Sequence, residues 1–393
     1  MPARRVALFV APLLLIPALA PAQTPDAAKL AAIKPAMQRY VDSGDLAGAV
    51  TLVGRAAGVI EHEAVGYRDL AAQDPMQKDT LFRIASMTKP ITAIAVMILV
   101  DEGKLSPDDD LAKHIPAFAD LTLAGGAKPA RAVKLRDLLT HTSGLANYPP
   151  DLGDVYGKRD KTLAETTAAV AKLPLMFEPG TKWSYCNPGI DTLGRVVEVA
   201  SGKAFEAFVK ERVLDPLAMA DTRFYPAPSD LKRLALTYGK GKDGKLAAAP
   251  FGLVGLPENP KHPIPAGGLI STAADQAKVY RMMLNKGALA GKRVLSEKAV
   301  AEMTKMQTGD IKTGFVDGMS FGYGWAVVKE PKGVTAMLSP GTFGHGGAFG
   351  TQGWIDPKQD VFAILMIQRT GLPNGDASDF RKTLQELAVA AVK

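Results

Sequence analysis

The stretch Ser86-Met87-Thr88-Lys89-Pro90, continued by the apolar run Ile91-Thr-Ala-Ile-Ala-Val-Met-Ile-Leu-Val100, organises the reading of this chain. Residues three apart share one face of a helix, so Lys89 would stand one turn from Ser86, placed to take its proton or to lower the pKa of a neighbouring base. Pro90 lacks an N–H and is tolerated only in a first turn, which puts Ser86 at or near a helix N-terminus, where developing negative charge is favoured. The residues that follow are apolar on every side, which predicts a helix buried in the middle of the protein. Alone, a serine three residues before a lysine is a weak motif, because a capping Ser near a Lys recurs by chance.

Outward from this helix the pattern turns β-rich. Upstream, Gly48–Gly54 and Val59–Val65 are β-prone runs separated by a short segment with Gly58, and read as a hairpin. Before them, Leu30, Ile33, Met37 and Val41 recur at three- and four-residue steps, predicting a helix over Asp26–Val41 with one buried stripe. Near the other end, Phe321–Trp325, Gly353–Asp356 and Val361–Ile367 read as strands, with Asp356-Pro357 as a turn, and a last amphipathic helix follows Ser378. Between these ends the pattern is mainly helical, broken by Pro- and Gly-rich loops at Asn147–Gly153 and Ala247–Gly268. The expected architecture is α/β: strands from both termini join one antiparallel sheet flanked by the terminal helices, residues 23–85 plus 275–393, with a mainly helical domain, 86–274, inserted between them.

Composition narrows the setting. Met1-Pro-Ala-Arg4-Arg5, the apolar run Val6–Leu19 and Ala20-Pro-Ala-Gln23 follow the order of a secretory signal, residues 1–22, with cleavage after Ala22. The run is too short for a membrane span, so a periplasmic or secreted location is expected. Loss of Arg4 and Arg5 lowers the formal charge from +7 to +5, with the remaining charges interleaved, which gives no patch for nucleic acid. The acidic block Asp108–Asp110 reads as a solvated loop or helix start. One cysteine, Cys186, excludes an internal disulfide, and 47% hydrophobic residues supply the core instead.

Two further motifs follow the first in order: Tyr185-Cys186-Asn187, within Pro179–Gly189, and His345-Gly346-Gly347. With Ser86 to Lys89 they resemble the S-x-x-K, Y-x-N and third (K-T-G) boxes of the serine β-lactamase, penicillin-binding protein and carboxylesterase superfamily, nearest its class C and family VIII esterase branches. Leu138–Leu145, Pro265–Asp275 and Phe343–Gly347 are also similar, so the resemblance covers nearly the whole chain after residue 22. It implies a β-lactamase-like fold and a crevice between sheet and helices as the site. It implies Ser86 as acylated nucleophile, Lys89 as the group that helps deprotonate it, and Tyr185 as phenolate or relay, its pKa lowered by Lys89. Asn187 would orient Lys89 and the acyl group, and the N–H groups of Ser86 and Ala348 would form the oxyanion hole.

One departure bears on the substrate. His345 stands where the family commonly carries a carboxylate-binding lysine, and a neutral imidazole would hold anions weakly. With Gly346, Gly347 and Ala348 it is expected to line the substrate side of the site. The implied activity is therefore that of an exported serine hydrolase acting on small-molecule carboxylic esters through an acyl-serine, without metal or cofactor. A β-lactamase or D-amino-acid peptidase using the same nucleophile is the alternative. A non-catalytic relative that binds cell-wall fragments or a partner is a third reading, which the presence of all three motif residues disfavours.

Other residues carry blander readings. The five histidines, His62, His114, His141, His262 and His345, have no metal-site spacing, and His141 reads as a helix-end cap, with a minor role open because the family resemblance implies that its loop lies close to the site. Ser143 and Ser184 lack a lysine three residues on, Cys186 reads as a buried filler, and no G-x-S-x-G elbow argues for an α/β-hydrolase. Trp183, Phe343, Phe349, Trp354 and Tyr148 are candidates for either core or an acyl pocket.

Overall fold

The computed structural model describes residues 24–249 and 255–393. Residues 1–23, with the expected signal, and 250–254, inside the expected Ala247–Gly268 loop, lie outside them. The sheet has eight strands: β1 (Gly48–Gly54), β2 (Val59–Asp69), β3 (Asp74–Pro75), β4 (Met319–Phe321), β5 (Ala326–Val328), β6 (Phe343–Gly346), β7 (Gln352–Asp356) and β8 (Val361–Met366). Their order is β4-β5-β6-β7-β8-β1-β2-β3, antiparallel throughout. The first and last thirds of the chain thus meet where β1 pairs β8, with Val50 opposite Met366 and Leu52 opposite Ile364.

Five helices matter for the site and its support: α1 (Ile33–Asp42), α2 (Lys89–Asp101), α3 (Asn187–Ser201), α4 (Ala273–Leu284) and α5 (Asp379–Ala390). Side chains alternate across a strand, and the sheet uses both faces. Ala49, Val53, Ala363 and Leu365 pack outward against Ile33, Ala36 and Met37 of α1 and Phe380, Leu384 and Ala388 of α5. Val50, Leu52, Ile364 and Met366 pack inward in a core that continues through α2, α3 and α4. That inner core is shared, so sheet and helical insert are not separated by a seam of solvent. The boundary drawn after residue 274 falls in the first turn of α4, whose cap is Thr272, and the one drawn after residue 85 falls within the turn Ala85–Thr88.

Local differences from the sequence pattern have local causes. The first helix is divided at Ala32 into Ala27–Ala31 and α1, because Pro35 cannot donate to the carbonyl one turn back and is accommodated in a first turn. Phe321–Trp325 is not one strand: Gly324 has φ +74° and Gly322 N–H bonds the Trp325 carbonyl, so the segment turns between β4 and β5. The strand β6, rich in glycine and so poor in β-propensity, goes unannounced by the sequence pattern. The terminal helix starts where expected, capped by Ser378. Among the described residues no helix is long and apolar enough to cross a membrane.

Glu61 on β2 is an acid buried on the outer face, bonded by the Thr51 hydroxyl at 3.0 Å, and burial raises its carboxyl to about 7. The native state therefore holds an extra proton between its ordinary value near 4.5 and about 7, and the stability this contributes at low pH is lost as pH climbs through that window. Glu61→Gln should be more stable than the parent at about pH 8, by roughly 1–3 kcal/mol, and lose that advantage below about pH 4.5. Urea unfolding at the two pH values checks this, and a difference independent of pH would refute it.

Candidate active site

Ser86 sits in a 3₁₀ turn, Ala85–Thr88, that runs directly into α2, with Pro90 in the first helical turn. Ala85 adopts φ +44°, a conformation unfavourable for a residue with a Cβ, so the turn that presents Ser86 is held by its surroundings. They are specific. Ile84 N–H bonds the Leu269 carbonyl, Leu269 N–H bonds the Thr88 hydroxyl at 3.2 Å, and Thr92 donates to the Pro265 carbonyl at 2.7 Å. The segment Pro265–Leu269 is thus a strap laid along the start of α2.

Lys89 is wholly buried, and its Nζ donates to Ser86 Oγ at 3.0 Å and to the Ala266 carbonyl at 2.6 Å. Burial lowers its pKa to about 7, against the opposing pull of Asp191 and Cys186. The amine lies 4.7 Å from the Tyr185 ring centroid, over the ring face. Tyr185, hydrogen-bonded to Ser86, is pushed above its ordinary range by burial. Of the two expected roles, phenolate and hydrogen-bonded relay, this burial favours the relay, since a lysine desolvated enough to lose its own charge near neutrality is poorly placed to hold a neighbouring phenol ionised. Ala266, not Asn187, supplies the second partner of Lys89. Asn187 is half-buried at the first position of α3, after the Cys186 cap.

Opposite stands the end of β6. His345 is buried with its ring 6.1 Å from that of Tyr185, and its Nδ1 donates to the Gly346 carbonyl at 2.7 Å. A carbonyl only accepts, so Nδ1 carries the proton and Nε2, which has no partner among the described residues, is a lone pair. Burial, with the Lys89 charge second, lowers His345 to about 4 and leaves it neutral at pH 7. Gly347 N–H bonds the Thr351 carbonyl, and the Thr351 hydroxyl donates to the Ile84 carbonyl at 3.3 Å, which draws the β6 turn onto the Ser86 turn. A Cβ at Gly347 would run into Thr351 and Ile84, so glycine is what permits the approach. Neither Ser86 N–H nor the exposed Ala348's N–H donates within the backbone network of the described residues.

Several site neighbours were not read from the sequence in these positions. His141 is no helix-end cap: at φ +60° its Nδ1 accepts the Cys186 N–H at 3.1 Å, and its ring packs 4.4 Å from that of Tyr185. Phe315 and Phe321 join Tyr185 and Trp183 in one aromatic group, Phe315 lying 5.0 Å from Tyr185. Of the proposed pocket aromatics only Trp183 borders Tyr185. Phe343 and Phe349 are core, Trp354 lies under Arg381 at 3.8 Å, and Tyr148 donates to Asp191. A narrow cavity of about 20 Å³ beyond His345 is lined by Phe315, Val316, Phe321, Trp354, Asp376 and Arg381. Among the described residues no group of His, Cys, Asp or Glu is arranged to hold a metal ion.

A serine touching a buried amine, where the turn after β6 meets the start of α2, marks a hydrolase of β-lactamase-like fold. The chain belongs to the β-lactamase family, whose model, described as Beta-lactamase, matches residues 33–388. It is 35% identical to Protein Rv1367c of Mycobacterium tuberculosis over 84% of this chain and 88% of that protein. It is 32% identical to Esterase EstB of Burkholderia gladioli, over 87% and 91%. Among solved structures, EstCE1, described as a hydrolase with promiscuous acyltransferase activity, superposes with a TM-score of 0.79 at 25% identity, over 93% of this chain and 98% of that one.

Cys186 is a working cap and not a free thiol at the surface: its Sγ accepts Gly189 N–H at 3.3 Å and faces the Leu145 carbonyl at 3.4 Å, and burial raises it to about 11. Cys186→Ala should cost about 1 kcal/mol of stability, with Cys186→Ser closer to the parent. A disulfide-exchange reagent should titrate no thiol in the native protein and one after denaturation. Rapid native labelling would contradict this.

Proposed function

We propose that this protein is an exported serine hydrolase that cleaves carboxylic esters through an acyl-Ser86 intermediate. The observation that carries the reading is the 3.0 Å contact between Lys89 Nζ and Ser86 Oγ in an environment that brings the amine to about 7. An amine half neutral at physiological pH, touching a hydroxyl, is a general base matched to its task. Ser86 Oγ attacks the ester carbonyl and passes its proton to the neutral Lys89 amine. The oxyanion takes hydrogen bonds from the Ser86 and Ala348 N–H groups, a contribution of ~3 to 4 kcal/mol per donor. Tyr185, resting as the phenol, gives its proton to the departing alkoxide and is recharged from Lys89. Water then repeats the sequence on the acyl-enzyme, and the acid leaves with Ser86 restored.

The ester preference rests on His345. It is uncharged at neutral pH, so the β6 side of the site lacks the cation that would pair a substrate carboxylate. Arg381, which lines the same cavity, lies flat on Trp354 and donates to the Asp376 carbonyl and to Gln385. The relative named an esterase supports the same reading.

Treatment with a serine-directed phosphonate, intact mass and peptide mapping should place one adduct on Ser86, alongside turnover of a p-nitrophenyl ester and little of a cephalosporin chromogen. Ser86→Ala should reduce ester turnover by at least about 10³-fold without loss of fold. Full activity in that variant would remove the nucleophile, and a cephalosporin preferred over the ester would reverse the substrate assignment.

Export rests on residues 1–22. Expression of the whole chain in a Gram-negative host should yield periplasmic protein beginning at Gln23, read by intact mass. Protein retained in the cytoplasm with Met1 would overturn it.

A further inference from the structure

Behind Lys89 lies a buried acid that the chemistry above does not use. Asp191, one turn into α3 from Asn187, is 1% exposed. Its Oδ2 accepts the Tyr148 hydroxyl at 2.7 Å and the Tyr156 hydroxyl at 2.5 Å, and its Oδ1 accepts the Ala266 N–H at 2.8 Å. A carboxylate withdrawn from water is destabilising unless its lone pairs are met, and two phenols and an amide meet these. The two tyrosines come from the segment 147–156 and also pack against the inner core. Ala266 is the residue whose carbonyl holds Lys89 Nζ at 2.6 Å.

We infer that Asp191 is a positioning residue: clamped by Tyr148 and Tyr156, its carboxylate anchors Ala266, and Ala266 keeps the Lys89 amine on Ser86 Oγ. The inference rests on the Lys89–Ser86 reading proposed above. Two features separate it from mere packing. The chain of contacts ends on the amine and not on an apolar neighbour, and the charge of Asp191 acts on Lys89 in the direction that retains its proton. The other ionisable groups that face the pair are His141, from the 138–145 loop, His345 of β6, Tyr185 and Cys186 beside α3, and His262 beside Asp191. Both His141 and His345 are held neutral by burial, which leaves Asp191 as the nearby group whose removal alters the field at the amine.

The test is kcat and KM for a p-nitrophenyl ester from about pH 5 to 9 in the parent, Asp191→Asn and the double variant Tyr148→Phe/Tyr156→Phe, with thermal unfolding and the rate of phosphonate labelling of Ser86. Asp191→Asn should lower kcat by at least about tenfold with KM within about twofold. The acid limb should move to lower pH by about half a unit or more, since an amine without its carboxylate sheds its proton sooner. The double variant keeps the charge and loses the clamp, so it should lose kcat and labelling rate without that downward move, and it serves if Asp191→Asn fails to fold. A parental limb and labelling rate in Asp191→Asn, or parental kcat in the double variant, would overturn the inference. Turnover surviving in Lys89→Met would instead overturn the Lys89–Ser86 reading, and the two failures are distinguishable.

Discussion

The structure turns on one amine removed from water. Lys89 is enclosed completely, and an ammonium there is tolerable only with close partners or with its charge given up. Both occur: Ser86 Oγ and the Ala266 carbonyl take its hydrogen bonds, and its pKa falls to about 7. The enclosure is supplied by α2 itself, buried from Lys89 to Leu99, and that explains why the helix is apolar all round. Sheet, strap and helical insert share a single inner core because each contributes a wall to this helix. The fold is, in this sense, the apparatus that keeps water from one nitrogen.

The opposite wall is built by absence of side chains. β6 carries glycine at 344 and 346, and Gly347 follows. A Cβ on Gly344 would meet the Trp354 ring, and one on Gly347 would meet Thr351 and Ile84. These glycines bring the strand close to the Ser86 turn and leave His345 as the one sizeable side chain of β6 beside Tyr185.

Much of this was legible in the sequence. Ser86, Lys89 and Pro90 fix a helix start by stereochemistry alone, and the β-prone runs gave β1, β7 and β8 to within a residue, with β2 found at its start but running on four residues past Val65. What escaped was written in contacts between distant segments. The strand β6 has no β-prone residues beyond Phe343. The turn at Gly322–Gly324 hides among aromatics that would suit a strand. His141 is a site residue only because the 138–145 loop meets Cys186, a pairing that no local pattern encodes. Asp191 left one faint signal, an acid four residues from Asn187 amid the apolar Ile190, Leu193, Val196 and Val197, and its meaning depends on Tyr148, Tyr156 and Ala266 arriving from elsewhere.

The same burial that tunes Lys89 acts on Tyr185, His141 and His345 beside it, and the directions combine. Tyr185 is raised, so it stays a phenol, and His141 and His345 are lowered, so they stay imidazoles. At pH 7 the lysine is the one of these four groups poised between its two forms. A substrate anion seated against His345 would surrender its hydration without a charge from that side chain in return, whereas a neutral ester would surrender little. In the proposed reaction, charge then develops only at the oxyanion and at Lys89, a few ångströms apart and of opposite sign. A low-dielectric pocket stabilises such a pair more strongly than water would, provided its donors are already in place. On the proposed reading, burial would favour a neutral substrate and lower the barrier by one and the same means.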